Sequence, residues 1–233
     1  DQKHLPKQGL RFFFSPEAKE KIEERVELGA RSELPIPSHQ IDRGVFENDL
    51  AQKLRDIGVQ FEFGSVVRTV DFSEEGHRVG YYQKGTAYEL ITRWLVDTSG
   101  RASFLKRKLG FEKKLEHHVN AVWFRVEGEI DVDDWSDVHA WKTQFSPGFR
   151  RLGTLHFMGK GYWVWFIPLS TGNTSIGIVA DPRFHDFSSL NSFEKAMQWL
   201  ALHEPLCAQK IQPYTTNVLD FRKLKQLAHH SGR

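Results

Sequence analysis

Two tryptophans stand two positions apart in an apolar segment of the second half of the chain, Trp-Val-Trp-Phe-Ile-Pro at 163–168. The alternation predicts a β-strand, because successive residues of a strand point to opposite faces. Trp163, Trp165 and Ile167 then share one face, and the apolar residues between them predict a strand buried on both faces. The two indoles could form a broad aromatic wall, although an ordinary core strand has the same pattern.

A carboxylate and a glycine follow another predicted strand, 88–96, in the turn Asp97-Thr98-Ser99-Gly100. In α/β proteins, ligands gather beyond the carboxyl ends of the strands. Asp97 and Gly100 could therefore meet a ribose hydroxyl or a pyrophosphate through side-chain and backbone contacts. The same residue types also build an ordinary turn, and spacing alone leaves both interpretations open.

The histidines do not form a metal-binding pattern. The His-His pairs at 117–118 and 229–230 would point to opposite faces of a strand, and no His-x-x-x-His accompanies them. The spacing from Glu74 to His77 falls in a predicted turn instead of a helix. The sequence therefore predicts no metal site.

Composition and charge exclude several classes of protein. The chain has 233 residues, 39% of them hydrophobic, which is enough to bury a sizeable core in one or two domains. Its 32 basic and 30 acidic side chains leave a formal charge of +2, so nothing indicates a nucleic-acid-binding protein. No apolar run is long enough to cross a membrane. The single cysteine, Cys207, excludes an intramolecular disulfide and indicates a reducing, cytoplasmic location.

Periodicity predicts the elements that carry these residues. Apolar residues at helical spacing predict a helix over 43–57, closed by Gly58, and a second helix over 191–203, followed by a basic, weakly periodic tail. A short basic helix is predicted at 102–109, and residues 16–33 are interpreted as a solvated helix or loop. Alternating or apolar runs predict the strands at 7–14, 59–63, 65–72, 78–82, 88–96, 119–126, 154–158, 162–169 and 174–179.

The tryptophan segment resembles the Trp-x-Trp-x-Ile-Pro signature of the flavin-dependent halogenases, which residues 163–168 match fully. The segments on either side of it, 153–156 and 173–179, agree with the resemblance, as does 40–50 upstream. Residues 94–101, Trp-Leu-Val-Asp-Thr-Ser-Gly-Arg, resemble the Asp-x-Ser-Gly segment that these enzymes share with flavin hydroxylases and prenyl reductases. The resemblance covers most of the chain, from His4 to His229.

The resemblance implies a mixed α/β fold, with a partial, Rossmann-like FAD-binding domain of the flavin hydroxylase type and an antiparallel β-sheet substrate domain. We assign the FAD-binding part to 35–112 and the substrate sheet to 113–190. A strand and linker on the substrate side occupy 1–34, and a helical segment occupies 191–233. No Gly-x-Gly-x-x-Gly turn for the pyrophosphate occurs in the sequence, so we expect an internal fragment of a longer protein.

The resemblance also implies a chemistry. Reduced FAD, supplied by a separate flavin reductase, would react with oxygen to a flavin hydroperoxide, and attack by a halide ion would give hypohalous acid. Trp163, Trp165, Ile167 and Pro168 would screen the flavin from the substrate. Lys7 lies in a Lys-x-Gly-x-Arg-Phe pattern that matches a lysine-bearing strand of the family. It would hold the hypohalous acid or form a haloamine, and so halogenate an electron-rich aromatic or carrier-tethered substrate.

The flavin hydroxylase pattern further implies cofactor-binding residues, with Val66 near the adenine through its backbone. The full set expected near the FAD is Gln40, Arg43, Val66, Asp97, Ser99 and Gly100. Arg43 could instead bridge to a carboxylate at a helix start, and Val66 could be a core strand residue. These assignments depend on the resemblance and not on spacing.

Two other functions stay open. A flavin monooxygenase or prenyl reductase would share the segment 97–100, although the tryptophan pair is not expected of it. A non-catalytic fragment that binds an aromatic or lipid-like molecule, or a partner protein, would explain the missing glycine-rich turn. Halide dependence of the product separates the first function from a halogenase, and titration with FAD separates the second.

Overall fold

The computed structural model describes residues 3–15, 20–113, 116, 118–226 and 230–231. The predictions made for 16–19, His117 and His229 lie outside these residues. The strands are β1 (Leu5–Pro6), β2 (Leu10–Phe14), β3 (Val26–Gly29), β4 (His39–Gln40), β5 (Ser65–Asp71), β6 (His77–Gln83), β7 (Thr86–Thr92), β8 (Glu112–Lys113), β9 (Asn120–Glu127), β10 (Thr154–Gly159), β11 (Tyr162–Pro168), β12 (Asn173–Ala180), β13 (Val218–Leu224) and β14 (His230–Ser231). The α-helices are α1 (Arg43–Asp56), α2 (Phe104–Lys108), α3 (His139–Lys142), α4 (Phe193–His203) and α5 (Pro205–Ile211).

The chain divides into two compact units, one formed by residues 1–46 and 115–229 and the other by 47–114 and 230–233. Each unit joins segments that are far apart in the sequence. The mixed α/β class expected from the sequence is confirmed. The four-part division expected from the resemblance stays a prediction.

The first unit is built on a seven-stranded sheet with the order β13-β9-β12-β11-β10-β2-β3. β10 and β11 form the predicted hairpin, and β12 and β9 extend the sheet beyond β11 as antiparallel neighbours. β2 and β10 are parallel, which is possible because they come from opposite ends of the unit and no tight turn joins them. The strands predicted at 7–14, 119–126, 154–158, 162–169 and 174–179 are confirmed.

One face of this sheet carries the main core. Along β11, Val164 and Phe166 are fully buried, as alternating residues are when one face of a strand packs inward. The same cluster contains Leu200 from α4 and Ile211 from α5, so the two helices cover this face. Pro205 occupies the first turn of α5, where its missing N–H costs no helical hydrogen bond.

A network of buried charges fastens β2 and β3 to the segment between β9 and β10. Arg11 on β2 bonds to Glu27 on β3 at 2.5 Å. Arg150 reaches the same carboxylate at 2.9 Å and Asp133 at 2.8 Å. Both guanidinium groups are almost fully shielded from water, so each needs these partners to be tolerated there.

A second buried ion pair joins the residue before β3 to the start of α5. Arg25 and Glu204 lie 2.7 Å apart, and neither side chain is more than 1% exposed. The Tyr162 hydroxyl of β11 donates to the same carboxylate at 2.8 Å. Burial and the neighbouring Glu204 charge raise the pKa of Tyr162, so the phenol stays protonated as a donor.

The second unit contains most of α1 and an antiparallel meander of β5, β6 and β7. The helix predicted over 43–57 is confirmed, and Gly58 follows it with a φ of +89°, the left-handed conformation that favours glycine at a helix end. The strands predicted at 65–72 and 78–82 correspond to β5 and β6. β8 pairs with β14 in the same unit.

Two predictions for the first third of the chain are wrong. The described part of 16–33 contains β3, which pairs with β2, because the Glu27 charge is taken up by buried arginines and not by water. Residues 59–63 form no strand. Phe61 and Phe63 stack on each other at 5.5 Å, and the Arg55 guanidinium lies 5.2 Å from both rings. The alternation at 59–63 therefore serves a local stack instead of a strand ladder.

Two other predictions are corrected in part. The strand expected over 88–96 ends at Thr92, and Trp94 beyond it is 81% exposed. The tail after the 191–203 helix, expected to continue as a helical segment, includes β13, which pairs with β9 at the edge of the large sheet. Asp220 of β13 binds Arg125 of β9 at 3.0 Å, an ion pair between strands that periodicity could not show.

Candidate functional site

The tryptophan segment forms β11 and presents its two faces to different surroundings. Trp163, Trp165 and Ile167 lie on the face opposite the main core, where each is half-buried. The prediction that both faces are buried is therefore wrong, because no helix of the described residues covers this side of the strand as α4 and α5 cover the other. The tryptophans form part of an accessible aromatic surface instead of the core.

Strand register aligns further aromatic side chains with Trp165. Phe12, His156, Trp165, Gly177 and Trp123 are direct partners across β2, β10, β11, β12 and β9. We call these five residues the aromatic row. The rings of Phe12 and His156 stack at 5.0 Å, and those of Trp123 and Trp165 lie 6.5 Å apart. Cross-strand neighbours of this kind stabilise each other, so the row is a continuous surface.

Gly177 allows the two indoles of the row to meet. A Cβ atom at position 177 would fall within the Trp165 ring, so only glycine lets the indole lie across β12 toward Trp123. A glycine inside a strand often marks such a close approach. The sequence analysis did not identify Trp123 or Gly177, although a glycine within the predicted strand 174–179 was a usable signal.

Trp163 belongs to the neighbouring line of cross-strand partners. It lies opposite Met158 of β10 and Val179 of β12. Together with Trp123 and Trp165 it packs against a small buried cluster of Val119, Ala121 and Val179. Ile167 and Pro168 continue β11 opposite Ser175 and Thr174. The tryptophan wall thus rests on a second, smaller core.

The indole N–H of Trp165 is shielded from solvent and has no acceptor among the described residues. A buried indole N–H ordinarily finds a partner, because an unmade hydrogen bond is costly in a dry environment. This donor is therefore a polar feature of an otherwise apolar wall.

Lys7 lies between β1 and β2 with its backbone fixed on both sides. Its N–H donates to the carbonyl of Ser38 at 2.8 Å, and its own carbonyl accepts from the Ser38 hydroxyl at 2.9 Å. The lysine is half-buried. Its positive charge contributes to the lowered pKa of His156, whose largest cause is burial. The Lys7 charge therefore acts on the aromatic row.

Gln40 and Arg43 lie near the start of α1 in the first unit. Gln40 is buried, donating to the carbonyl of Leu152 at 3.1 Å and accepting from the Thr154 hydroxyl at 3.2 Å. Its amide is thus engaged at both ends within the unit. Arg43 is exposed at the first position of α1. The adjacent Asp42 accepts from the N–H of Gly44 and from the Thr171 hydroxyl, each at 3.1 Å.

The other four predicted cofactor residues lie in the second unit. Val66 is 48% exposed on β5, so it is not a core strand residue. Asp97 accepts from the N–H groups of Ser99 at 2.9 Å and Leu105 at 2.8 Å. Hydrogen bonds from Ser99 and Leu105 lower the pKa of Asp97. The ordinary interpretation of this turn, as the cap of α2, therefore accounts for the Asp97 side chain.

Gly100 is the part of this turn that the cap does not explain. It is exposed, with a φ of +59°, and its missing Cβ faces open space. The backbone there can be approached closely by a ligand, which is one reason glycine occurs at phosphate-binding turns. Structure thus brings Lys7, Gln40, Arg43 and the tryptophan segment into one unit, and Val66 and the 97–100 turn into the other.

Within the described residues, no helix has the length and apolar character needed to cross a membrane. The same residues contain no group of three histidine, cysteine or carboxylate side chains placed to hold a metal ion.

The fold is that of flavin-dependent halogenases and related flavoproteins. A flavoprotein/dehydrogenase of Cytophaga hutchinsonii matches 100% of this chain with 53% of its own, with a TM-score of 0.74 and 20% identity. The halogenase PltM in complex with FAD matches 98% of this chain with 45% of its own, with a TM-score of 0.76 and 14% identity. At these identities, the likeness establishes the architecture.

Sequence similarity narrows the group. The chain is 28% identical over 255 residues to a flavin-dependent halogenase of Dictyostelium discoideum, which covers 99% of this chain and 41% of that protein. It is 27% identical to a 1H-pyrrole-2-carbonyl-(peptidyl-carrier protein) chlorinase of Pseudomonas fluorescens over 75% of this chain and 38% of that protein. No family model matches the chain. The comparisons point consistently to the flavin-dependent halogenases, and the chain spans about two fifths of the length of these relatives.

Proposed function

We propose that this chain is part of an FAD-dependent halogenase that transfers an electrophilic halogen to an electron-rich aromatic ring. The observation that carries the proposal is the aromatic row, in which Trp165 lies across Gly177 on an accessible sheet face and is influenced by the charge of Lys7. The signature match at 163–168 and the names of the relatives support the same activity.

The residues fit a flavin at the turn of the second unit. Gly100 leaves its backbone open, and the backbone and cap of the 97–100 turn would hold the phosphates or ribityl chain. Val66 and Arg43 are exposed and would complete the binding set, while Gln40 would act by holding the Leu152 carbonyl. When bound, reduced FAD supplies the activation of oxygen that oxidises a halide ion to hypohalous acid.

The residues of this chain then separate and direct the reactants. Trp163 and Trp165 present a rigid apolar wall that keeps water and the organic substrate away from the oxidising chemistry. The Lys7 ammonium donates a hydrogen bond to the hypohalous acid, which withdraws electrons from oxygen as the halogen passes to the ring. The fixed backbone of Lys7 limits where that donor can reach.

The relatives suggest a carrier-tethered substrate as one form of the aromatic group. Two of them are named as halogenases of pyrrole carbonyl groups on a peptidyl-carrier protein. We propose an aromatic ring delivered by such a carrier or free in solution, with a flavin reductase as the second partner. Cytoplasmic location is part of the same proposal, because reduced flavin and a free cysteine both require a reducing compartment.

The proposal is tested in the full-length protein with FAD, a flavin reductase, chloride or bromide and an aromatic substrate. Halogenated product should form only when halide is present. Lys7→Ala should lower kcat by about 100-fold or more, because the hydrogen-bond donor is lost, while Lys7→Arg should retain part of it. Product formation that does not depend on halide, or an undiminished Lys7→Ala variant, would contradict the proposal.

A flavin monooxygenase is the second candidate, favoured by the likeness to the Cytophaga flavoprotein/dehydrogenase over the entire chain. It would use the same fold to hydroxylate the substrate. In the assay above, it would give an oxygenated product at every halide concentration. A fragment that only binds an aromatic or lipid-like molecule would give neither product.

A further inference from the structure

His156 is the titratable member of the aromatic row and has no part in the mechanism above. Its ring stacks on Phe12 at 5.0 Å and an interplanar angle of 25°, and its register partner on β11 is Trp165. It therefore lies directly between the β2 strand that follows Lys7 and the tryptophan wall. A neutral imidazole suits such a position, since it packs as an aromatic ring.

The backbone fixes the orientation of this ring. Nδ1 lies 3.1 Å from the carbonyl of Thr154, two residues earlier on the same strand. Hydrogen bonding with the backbone of Thr154 and Arg11 favours the protonated ring, whereas burial and the Lys7 charge favour the neutral one, and burial is the largest effect. The pKa of His156 is accordingly lowered from its ordinary value.

The charged groups around His156 come from three places. β2 contributes Arg11, whose side chain lies on the other face of the sheet in an ion pair with Glu27. β11 contributes the uncharged Trp165. The segment before β2 contributes Lys7, which among the described residues is the charged side chain that acts on the imidazole.

We propose that His156 is a positioning residue for Lys7, whose neutral imidazole leaves the lysine as the cation acting on this part of the aromatic row. A proton on His156 would oppose the proton on Lys7, because a coupling between two charges acts equally in both directions. The imidazole thus protects the hydrogen-bond donor that the chemistry uses. The inference rests on the proposed function, since the role of Lys7 is part of it.

The coupling is measured by NMR titration of the His156 imidazole in the intact protein without FAD, halide or substrate. In Lys7→Met, the titration midpoint should rise by roughly half a pH unit or more, because a nearby positive charge has been removed. Lys7→Arg keeps the charge and should match the wild-type protein. Added salt should shrink the difference. The exposed His139 on α3 is the reference and should titrate identically in all three proteins.

A His156 midpoint unchanged in Lys7→Met, or shifted equally in Lys7→Arg, would overturn the inference. A rise in Lys7→Met alone supports it, even if the enzyme assay gives product without halide, which would contradict only the proposed function. In the halogenation assay, His156→Gln keeps a neutral polar side chain that gains no proton. The acid limb of its kcat profile between about pH 5 and 7 should be flatter than in the wild-type protein, with KM little changed. An identical acid limb in the two proteins would count against the inference.

Discussion

At the scale of single residues, the contact between Trp165 and Gly177 makes the sharpest prediction. Gly177→Ala places a methyl group where the indole now lies, so the ring must move or β12 must shift. We expect the free energy of unfolding to fall by about 1–3 kcal/mol, as in other overpacked sites. Near-ultraviolet circular dichroism should show the changed geometry of the Trp123 and Trp165 pair.

Gly44→Ala is the matched control, because a Cβ atom there would meet only the Asp42 carboxylate at 3.4 Å. It should leave the near-ultraviolet spectrum unchanged. A Gly177→Ala protein with the spectrum and stability of the wild type would show that Trp165 does not depend on this close approach.

The residues of the site were predictable to different degrees. The signature at 163–168 is contiguous, so Trp163 and Trp165 can be found by reading along one strand. Trp123 and His156 join them only through the register of β9, β12, β11 and β10, which pairs residues far apart in the chain. Periodicity within one segment contains no information about its partner strand, so these residues could not be placed in advance.

At the scale of elements, the Arg25 and Glu204 pair holds the entry of β3 against the start of α5. Glu204→Gln keeps the shape of the side chain but leaves the Arg25 guanidinium buried without a counter-charge. We expect the free energy of unfolding to fall by about 3–5 kcal/mol, measured by urea denaturation. The exposed pair of Lys21 and Glu24 is the control, and Glu24→Gln should cost less than about 1 kcal/mol.

The double variant Arg25→Met with Glu204→Leu tests whether charge is the cause. It removes both ions together, so much of the lost stability should return. A double variant as unstable as Glu204→Gln would show that the hydrogen bond from Tyr162 to the carboxylate matters more than the ion pair.

Element prediction succeeded where one face of a segment packs inward. α1 and the strands at 119–126, 154–158 and 162–169 show clear periodicity, and the structure contains them. β3 was missed because Glu27 is a buried charge, which looks like a solvated residue in the sequence. Residues 59–63 misled in the opposite way, since Phe61 and Phe63 alternate in order to stack with each other and not with a neighbouring strand.

At the scale of the whole molecule, His156 links stability to pH. Its pKa is lowered below the model value of 6.5, so below that pH the unfolded chain binds more protons than the folded one. The stability that depends on neutral His156 is present above pH 6.5 and is lost as the pH falls toward the lower folded pKa. We expect wild-type protein to lose more stability between about pH 7 and 5 than His156→Gln does.

Urea denaturation at several pH values measures this difference. His139→Gln, a change at an exposed histidine, should follow the wild-type curve. Parallel curves for the wild type and His156→Gln would mean that the imidazole has the same affinity for protons in the folded and unfolded chain.

The parallel pairing of β2 with β10 has a consequence for synthesis. During translation, the Phe-rich segment 10–14 leaves the ribosome long before residues 154–158, so one of its edges stays without a partner until two thirds of the chain has been made. Such a delay exposes an apolar edge to other nascent chains. Yield of the folded protein should therefore depend on holdase chaperones, and on how fast the ribosome crosses the interval between the two strands.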